Sequence, residues 1–440
     1  MQEVTFRSAA FFDDVAAMPG KHVHLVVIAT KPDIIKQIPL YRELKKRGHA
    51  VLLGHTGQHY SDNLSGGMLA EFGAEPDFNL NVRGESYEIV SQIIGRLGWV
   101  IRELKERGKI VIPYVHGDTT TAMAAANAGF SHGFAAVHVE AGIRTLTPDY
   151  DAFPIADISK EPDAWQAFLR ERRHWKRGSL EPYPEQFNTR AAEAGSGLHL
   201  APHPLDVEFL QAEGFPDDRI IVTGNSVVDA VEESMKEVKH STVFDRYPIL
   251  EKGDFVRFCI HRRENCSSNA RFGAIMDAMR AVLEEGRVVL LISMFQTEKA
   301  IERMGLRGEL DEWSKRYPHF LHTPVWPEYK DVMAAMAKAA VCATDSGSMQ
   351  EEMNAMQIPC VTLRFGSDRS ESAMAGGNLI APPTDGDLIA TLIRHAWDND
   401  TLRKVPPIYG RDVSKKSIDA VERILATGDI FRSDEFRLGL

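Results

Sequence analysis

The chain has 440 residues, a formal net charge of −11 at pH 7, 44% hydrophobic residues and 26% charged residues. These fractions are typical of a globular protein, and the length exceeds one ordinary core, so two large domains are expected. The acidic balance disfavours nucleic acid and anionic membranes as partners, and no apolar run approaches the ~20 residues of a membrane helix. With four cysteines that lack C-x-x-C spacing and no leader-like apolar start, we expect a cytoplasmic protein with reduced core thiols.

Strand-like and helix-like segments alternate through the first half of the chain. Short β-branched apolar runs predict strands, and the segments of helical period between them predict helices. A repeated strand and helix order predicts a doubly wound parallel sheet. The predicted strands are 22–28, 50–54, 110–115, 135–139 and 197–201, and the clearest helices are 34–47 and 86–107.

The same alternation recurs in the second half, in a series that begins near 219–225. We therefore predict an α/β fold of two Rossmann-like doubly wound parallel-sheet domains facing a central cleft. The predicted domains are 1–223, with an insertion at about 146–183, and 224–407, while 408–440 forms a C-terminal helix that crosses back to the first domain. The predicted elements of this half are strands 256–261, 288–293, 341–344 and 359–363, and helices 269–285, 329–339 and 414–426.

One segment, between Thr145 and Tyr183, has no clear period. It contains several prolines and a charged run from Arg170 to Arg177. One interpretation of the run is a solvated helix with salt-bridged neighbours. The other is a lid or subunit contact whose basic face meets an anionic ligand.

Polar clusters follow two successive predicted strands of the first half. His116 to Thr121 and His138 to Arg144 each come after an apolar run, which places them at the carboxyl edge of the sheet. Asp118 and Glu140 would then face one crevice as an acid/base pair. The H-x-D and H-x-E spacing leaves metal ligation as an alternative, although we expect no metal.

Three further clusters at strand-to-helix turns favour a phosphate ligand. Lys31 and Lys36 stand near a helix N-terminus, where backbone N–H groups already attract an anion. The alternative is ordinary helix capping, with Pro32 near the first position and Asp33 as an acid in the first turn. The segment His261 to Glu264 places guanidinium groups beside an imidazole at a strand end, which suits a diphosphate. The turn from Thr344 to Glu352 exposes backbone N–H groups through small residues, and a glutamate one turn later can accept from ribose hydroxyls.

In combination, these motifs resemble the UDP-N-acetylglucosamine 2-epimerase family, whose fold is that of the two-domain B-type glycosyltransferases. The resemblance covers about residues 22 to 425. It implies acid/base carboxylates at Asp118, Glu140 and Glu185, and it adds His261 to the catalytic residues. The markers are Thr30 to Asp33 with Lys36, Gly57 to His59, His116 to Thr121, His138 to Thr145, Pro184 and Glu185 with Asn188, Thr223 to Asn225, His261 to Glu264, and Thr344 to Glu352.

The resemblance also implies that the second half holds most of the nucleotide. It implies phosphate contacts from His261, Arg263 and the small-residue turn, and a ribose contact from Glu352. Lys31 and Lys36 take the place of the basic pair of the family, which usually has arginine at the first position. The implied set of substrate-binding residues is Lys31, Lys36, His116, Arg144, Arg263, Ser346, Gly347, Ser348, Glu352 and Arg369.

The expected reaction is reversible C2 epimerisation of UDP-N-acetylglucosamine, or of a modified relative, without a metal or nicotinamide cofactor. Three alternatives stay open: a hydrolysing epimerase that releases UDP and N-acetylmannosamine, a UDP-sugar glycosyltransferase, and a non-catalytic UDP-sugar sensor. The resemblance further implies a homodimer, and some relatives use the segment around Gln58 and His59 for activation by substrate.

Overall fold

The computed structural model describes residues 3–57, 67–179, 181–428 and 431. The chain forms two compact units. Unit 1 is drawn from Met1–Ile143, Pro184–Ala230 and Tyr409–Leu440, and unit 2 from Arg144–Tyr183 and Val231–Ile408. The segment 144–183 therefore belongs to unit 2, whereas the predicted domains placed it as an insertion of the first. The segment around Gln58 and His59 lies outside the described residues.

Strands and helices alternate through most of the chain, as the sequence predicts, with further short strands that the sequence did not predict. The strands are β1 (Thr5–Phe6), β2 (His22–Ile28), β3 (Val51–His55), β4 (Phe78–Asn79), β5 (Ile110–His116), β6 (Ala136–Val139), β7 (Leu146–Pro148), β8 (Trp175–Arg177), β9 (Ser196–Ala201), β10 (Ile220–Val222), β11 (Phe255–Cys259), β12 (Val288–Ser293), β13 (Phe320–Pro324), β14 (Val341–Thr344), β15 (Cys360–Thr362) and β16 (Asn378–Ile380).

The α-helices vary from one turn to six turns. They are α1 (Phe11–Ala17), α2 (Lys31–Lys46), α3 (Gly67–Glu71), α4 (Ser86–Glu106), α5 (Thr120–Ser131), α6 (Ile155–Ile158), α7 (Pro162–Leu169), α8 (Glu185–Ala194), α9 (Pro204–Ala212), α10 (Val227–Glu237), α11 (Val243–Arg246), α12 (Arg263–Cys266), α13 (Asn269–Glu284), α14 (Phe295–Arg303), α15 (Arg307–Arg316), α16 (Tyr329–Met336), α17 (Gly347–Met356), α18 (Ser370–Ala375), α19 (Gly386–Asp398) and α20 (Val413–Thr427). Short 3-10 turns occupy Arg172–His174, Asp217–Arg219, Val238–His240, Pro248–Leu250 and Leu402–Lys404.

The sheet of unit 1 has the strand order β1-β4-β3-β2-β5-β6-β9-β10. Its neighbouring strands are parallel, except that β1 pairs antiparallel with β4. Helices cover both faces of such a sheet, which is why β2 and β5 are apolar and buried almost throughout. The prediction that a new series begins near 219 is wrong for β10, because Ile220–Val222 pairs with β9 as the last strand of this first sheet.

The sheet of unit 2 has the order β13-β12-β11-β14-β15-β16, and every neighbouring pair is parallel. The two sheets confirm the α/β class. All four cysteines lie buried and unbridged in unit 2, as the sequence predicts. Across the described ranges, no helix is both long enough and apolar enough to cross a membrane.

The segment 144–183 is built onto unit 2 by specific contacts. β7 pairs antiparallel with β8, and Leu146 forms a bridge with Ser367. The buried Trp165 of α7 donates its indole N–H to the carbonyl oxygen of Ile380 at 2.8 Å, which joins α7 to the outermost strand, β16. Trp165 also stacks on Tyr150, so an aromatic core fixes the segment in place.

The charged run of this segment is not the helix that the first interpretation required. Residues 170–177 form a 3-10 turn and β8, because pairing with β7 satisfies their backbone groups. The salt-bridged part of that interpretation is confirmed for two side chains. Arg173 pairs with Glu171 at 2.6 Å, and Lys176 pairs with Asp149 at 2.7 Å.

Candidate active site

The two polar clusters of unit 1 begin side by side, as the sequence predicts. β5 and β6 are neighbours in register, with His116 opposite Val139. Their carboxyl ends therefore present His116 to Thr121 and His138 to Arg144 at the same edge of the sheet. Parallel α/β sheets bind ligands at this edge.

Glu140 is the centre of a buried charged cluster in unit 1. Its Oε1 accepts from the Nζ of Lys36 and from the Nδ2 of Asn225, each at 2.5 Å. Its Oε2 lies 2.8 Å from the Nε2 of His116. That contact has the distance of an ion pair without regular hydrogen-bond geometry. Because Glu140 is only 3% exposed, these partners replace the water that would otherwise stabilise its charge.

His116 lies between two carboxylates. Its Nδ1 is 3.0 Å from the Oδ1 of Asp33, and its Nε2 faces Glu140. Burial lowers the pKa of His116, but the charge of the nearby Glu140 and the hydrogen bond to Asp33 outweigh burial and raise the pKa to about 9. The imidazole is therefore charged at neutral pH. Both ring nitrogens face carboxylates of unit 1, so His116 contributes to the charge balance of the cluster.

The backbone of the strand ends is shaped around the Glu140 carboxylate. Glu140 itself has a φ of 65°, a left-handed conformation that costs a non-glycine residue free energy and that often marks functional sites. Gly117 has a φ of 60°, and a Cβ there would stand 2.7 Å from the Oε2 of Glu140. Only glycine fits at this position without displacing the carboxylate.

Asp118 and Glu185, the other two predicted acid/base carboxylates, lie outside the buried cluster. Both are partly exposed, so they can reach a ligand. Asp118 follows Gly117 and precedes Thr119, which caps α5, and its carbonyl oxygen accepts from the Nδ2 of Asn188 at 3.2 Å. Glu185 is the first residue of α8, the helix that also carries Asn188.

Lys31 and Lys36 occupy different environments on α2. Lys36 is buried in the Glu140 cluster, whereas Lys31 is only partly buried. Burial lowers the pKa of Lys31, partly offset by the charge of Glu71. The predicted basic pair is therefore divided between a buried ion pair at Lys36 and a partly exposed position at Lys31.

The metal alternative finds no support in the geometry of the H-x-D and H-x-E pairs. His138 Nε2 donates to the carbonyl oxygen of Gly117 at 2.7 Å, which commits that nitrogen to the backbone. Within the described ranges, no three His, Cys, Asp or Glu side chains are grouped as ligands for a metal ion.

In unit 2, Asp345 organises the neighbouring ends of β11 and β14. These strands pair in register, with Cys259 opposite Thr344. The fully buried carboxylate of Asp345 accepts from the backbone N–H groups of His261 and Arg262, at 2.9 and 3.0 Å. It thereby fixes the loop that carries the predicted phosphate ligands.

His261 and Arg263, the two predicted phosphate-binding residues of that loop, are both at least partly exposed. The His261 side chain is 28% exposed, and its Nδ1 lies 3.4 Å from Asp345. Burial lowers the pKa of His261, which outweighs the opposing charge of Asp345, so the ring is neutral at pH 7. Arg263 is exposed at the first position of α12.

The small-residue turn forms the N-terminus of α17, as predicted. Ser346 caps the helix by accepting from the N–H of Met349 at 3.4 Å, and Gly347 is its first residue. Ser348 donates its hydroxyl to the Oε1 of Glu352 at 3.0 Å. The first backbone N–H groups and the positive end of the helix dipole favour an anion at such a turn.

Arg369 lies beneath this turn. Its guanidinium carbon is 3.5 Å from the position of a Cβ on Gly347, and its Nε donates to the buried Glu351. Asp368 completes the cluster by accepting from Arg364 at 2.7 Å. Burial raises the pKa of Asp368, but the neighbouring arginines lower it well below the usual range. Arg369 is therefore tied to carboxylates and supports the turn from below, and Arg144, also of unit 2, is likewise buried.

Several of these partners were not among the predicted site residues. The sequence predicts Asp33 only as an acid in the first turn of α2, and it identifies Asn225 only as part of a motif. Asp345 and Glu351 were noted within the turn but given no role. Each acts through a contact with a residue distant in the chain, so local pattern carries little signal for them.

A family model described as UDP-N-acetylglucosamine 2-epimerase matches residues 42–153 and 174–423. The chain belongs to this family. The two matched ranges include Asp118, Glu140, Glu185, His261 and the α17 turn. The residues between them, 154–173, contain α6 and α7, so the family model passes over the part of the segment that packs on β16.

The sequences of several relatives align with most of this chain. The UDP-N-acetylglucosamine 2-epimerase of Methanocaldococcus jannaschii is 26% identical over 369 residues, which are 83% of this chain and 89% of the relative. That of Bacillus subtilis is 27% identical over 390 residues, 87% of this chain and 89% of the relative.

Solved structures of the family share the fold. The M. jannaschii enzyme in complex with UDP-GlcNAc and UDP has a TM-score of 0.75 at 24% identity, covering 92% of this chain and 100% of that chain. The Neisseria meningitidis enzyme bound to UDP-GlcNAc has a TM-score of 0.74 at 22% identity, with the same coverage. These likenesses confirm the predicted α/β class of the B-type glycosyltransferase kind.

Proposed function

We propose that this enzyme interconverts UDP-N-acetylglucosamine, or a modified UDP-2-acetamido sugar, with its manno epimer at C2. The observation that carries the proposal is the family match across residues 42–153 and 174–423, which includes every carboxylate expected to act on the sugar. The reaction changes no net oxidation state, so it needs no redox cofactor.

The chemistry requires more than a single base. The C2 proton of the sugar is not adjacent to a carbonyl group, so direct removal would be too slow. In the proposed route a carboxylate removes H2, the C2–H electrons form a C1=C2 double bond, and the C1–O bond breaks to release UDP. UDP then adds back to C1 while C2 takes a proton on the opposite face.

The carboxylates of unit 1 supply the proton transfers in this proposal. Asp118 and Glu185 are partly exposed and so are the better candidates to meet H2 and to return a proton. Glu140 is engaged by three polar partners, so it must exchange one of them before it can take a proton itself. Its charge holds Lys36 and His116 at the edge of the sheet.

Unit 2 stabilises the leaving group in this proposal. A departing diphosphate gains negative charge, which Arg263 and the first N–H groups of α17 can meet with charge-assisted bonds. His261, neutral at pH 7, can donate one hydrogen bond without adding a charge. Glu352 is assigned to the ribose hydroxyls, and Lys31 and Arg144 complete the cationic set.

The products decide between this function and its alternatives. After incubation with UDP-N-acetylglucosamine, proton and phosphorus NMR should show a UDP-linked manno sugar at equilibrium with the substrate. Free N-acetylmannosamine with equimolar UDP would instead establish a hydrolysing epimerase. An unchanged substrate that turns over only when a hydroxyl acceptor is added would establish a glycosyltransferase.

The carboxylate roles have their own test. Asp118→Asn and Glu185→Gln should reduce kcat by at least about 100-fold, the usual contribution of a positioned acid or base. UDP affinity should change by no more than a few-fold, because neither residue is assigned to the nucleotide. Loss of UDP binding in calorimetry would contradict the assignment.

The same proposal includes a homodimer in the cytoplasm. Light scattering after size exclusion should give twice the mass of 49.1 kDa expected for one chain. A monomeric mass at micromolar concentration would contradict the dimer.

A further inference from the structure

Asp33 uses its two carboxylate oxygens for two different tasks. Its Oδ2 accepts from the backbone N–H groups of Ala29 and Thr30, at 3.2 and 3.0 Å, and so caps α2. Its Oδ1 lies 3.0 Å from the Nδ1 of His116, which is 83 residues away in the chain. Capping alone needs only the first oxygen, and Asp33 is 1% exposed, so the second contact is not a by-product of a mobile side chain.

The geometry around His116 specifies its protonation. A neutral imidazole has one donor nitrogen and one acceptor nitrogen, whereas the imidazolium has two donors. Here Nδ1 faces Asp33 and Nε2 faces Glu140, and an ionised carboxylate can only accept. The doubly protonated ring lets Nδ1 donate to Asp33 and gives the ring the positive charge that its ion pair with Glu140 requires.

We propose that Asp33 is a positioning residue that holds His116 as an imidazolium and thereby fixes the Glu140 carboxylate at the edge of the sheet. Its consequence for turnover rests on the proposed function, but its effect on His116 does not. The titratable groups that face His116 are Asp33 and Lys36 from α2 and Glu140 beyond β6. These two anions and two cations together carry no net charge.

The pH dependence follows from this cluster. The pKa of His116 is raised from 6.5 to about 9, with the two carboxylates outweighing burial. Its contribution to stability is therefore complete below pH 6.5 and is lost as pH rises through about 9. The same deprotonation should free Glu140 to move.

The decisive variant is Asp33→Asn. Asparagine can still cap α2 through its carbonyl oxygen, but its NH₂ group then faces Nδ1 and donates to it. His116 must give up its Nδ1 proton and become neutral. In the serine-protease triad, the same exchange of aspartate for asparagine leaves the geometry intact but selects the wrong tautomer of the neighbouring histidine.

The primary readout is NMR titration of labelled histidine in the protein without substrate. We expect His116 to be charged at pH 7 in the wild type and neutral in Asp33→Asn. With UDP-N-acetylglucosamine, kcat should fall by roughly 100-fold with KM within about threefold, and the alkaline limb of the pH profile should move to lower pH.

Asp206→Asn is the matched control. Asp206 is equally a buried acid at the third position of a helix, where its Oδ2 accepts from the N–H of His203 at 3.0 Å, but it caps α9. It should lose similar capping stability while leaving the His116 titration and the pH profile unchanged. A control that moves either readout would reduce Asp33 to a general structural residue.

Two results would overturn the proposal. One is a wild-type His116 that is neutral at pH 7, a measurement that does not depend on whether the variant folds. The other is a His116 that stays charged in folded Asp33→Asn. If His116 titrates as expected but the wild type does not epimerise the sugar, the proposed function fails and the role of Asp33 in holding His116 stands.

Discussion

The buried ion pair between Lys36 and Glu140 should be among the most sensitive contacts of unit 1. The two side chains are 2% and 3% exposed, and their charged atoms are 2.5 Å apart. Lys36→Met keeps the length and apolar stem of the side chain but leaves Glu140 with an uncompensated buried charge. Removing one partner of a buried pair costs about 3–5 kcal/mol. Because Asn225 and His116 remain beside the carboxylate, we expect the lower end of that range.

The matched control lies on the same helix. Lys46 pairs with Glu43 at 3.2 Å, but its side chain is 77% exposed. Lys46→Met should therefore cost about 0–1 kcal/mol, the usual value of a surface pair. Both substitutions remove one lysine from α2, so helix propensity and net charge change equally.

The assay must report unit 1 separately from unit 2, since a chain with two units need not unfold in one step. Hydrogen exchange measured by mass spectrometry on peptides from α2 and β6, across a urea series at pH 7, gives that resolution. Thermal midpoints provide a second measure, with a fall of roughly 6–12 °C expected for Lys36→Met at 2–4 °C per kcal/mol. If Lys36→Met costs no more than Lys46→Met, the buried pair does not carry the free energy assigned to it.

Three other predictions follow from single contacts. Gly117→Ala should lower the free energy of unfolding by about 1–2 kcal/mol for the left-handed backbone alone. It should also lower kcat, because its Cβ would stand 2.7 Å from the Oε2 of Glu140, and a normal kcat would show that this turn does not position the carboxylate. Arg263→Ala should weaken UDP binding, measured by calorimetry, by about 1.5–3 kcal/mol. The control variant Arg280→Ala, on the surface of the same unit, should bind UDP with unchanged affinity, and equal affinities in the two variants would contradict a phosphate contact from Arg263. Burial, assisted by two neighbouring histidines, lowers the pKa of His24 from 6.5 to about 3. Between these pH values the unfolded chain binds a proton that the folded chain does not, so stability should fall as the pH drops through this interval. His24→Asn should flatten this dependence in thermal midpoints measured from pH 7 to pH 4.

Long apolar strands were predictable because burial on both faces leaves a continuous hydrophobic run. β2 was predicted with the observed bounds, and β5 and β6 within one residue. The two-residue strands β1 and β4 were not, since so short a strand has no period of its own. For β10, the apolar run predicts a strand, but only the tertiary pairing with β9 decides which of the two sheets the strand joins.

The site residues likewise include some that the sequence could predict and some that it could not. Asp118 and Glu140 could be placed together because both follow parallel strands, and such strands share a carboxyl edge. The partners that fix Glu140 could not be placed, since Asn225 lies 85 residues away and reaches the carboxylate only through the packing of unit 1. For Arg369 the sequence could not show that Glu351 engages its guanidinium.

For the charged run at 170–177, the sequence predicts the ion pairs but not the backbone conformation. The charged residues of the run predict a solvated, salt-bridged surface, and the ion pairs of Arg173 and Lys176 are consistent with this prediction. The backbone conformation depended instead on the hydrogen bonds that β7 offers, which composition does not encode.

Epimerisation by elimination requires that the C2–H bond breaks during turnover while UDP leaves C1. The most direct test is proton NMR of UDP-N-acetylglucosamine with the enzyme in deuterated buffer, following the H2 and anomeric signals of substrate and product. We expect the manno product to carry deuterium at C2 from the first turnover, and Asp118→Asn to abolish this incorporation. A manno product that keeps its original C2 proton would contradict the proposed route, because a second, solvent-exchanged carboxylate would have returned deuterium to the opposite face of C2.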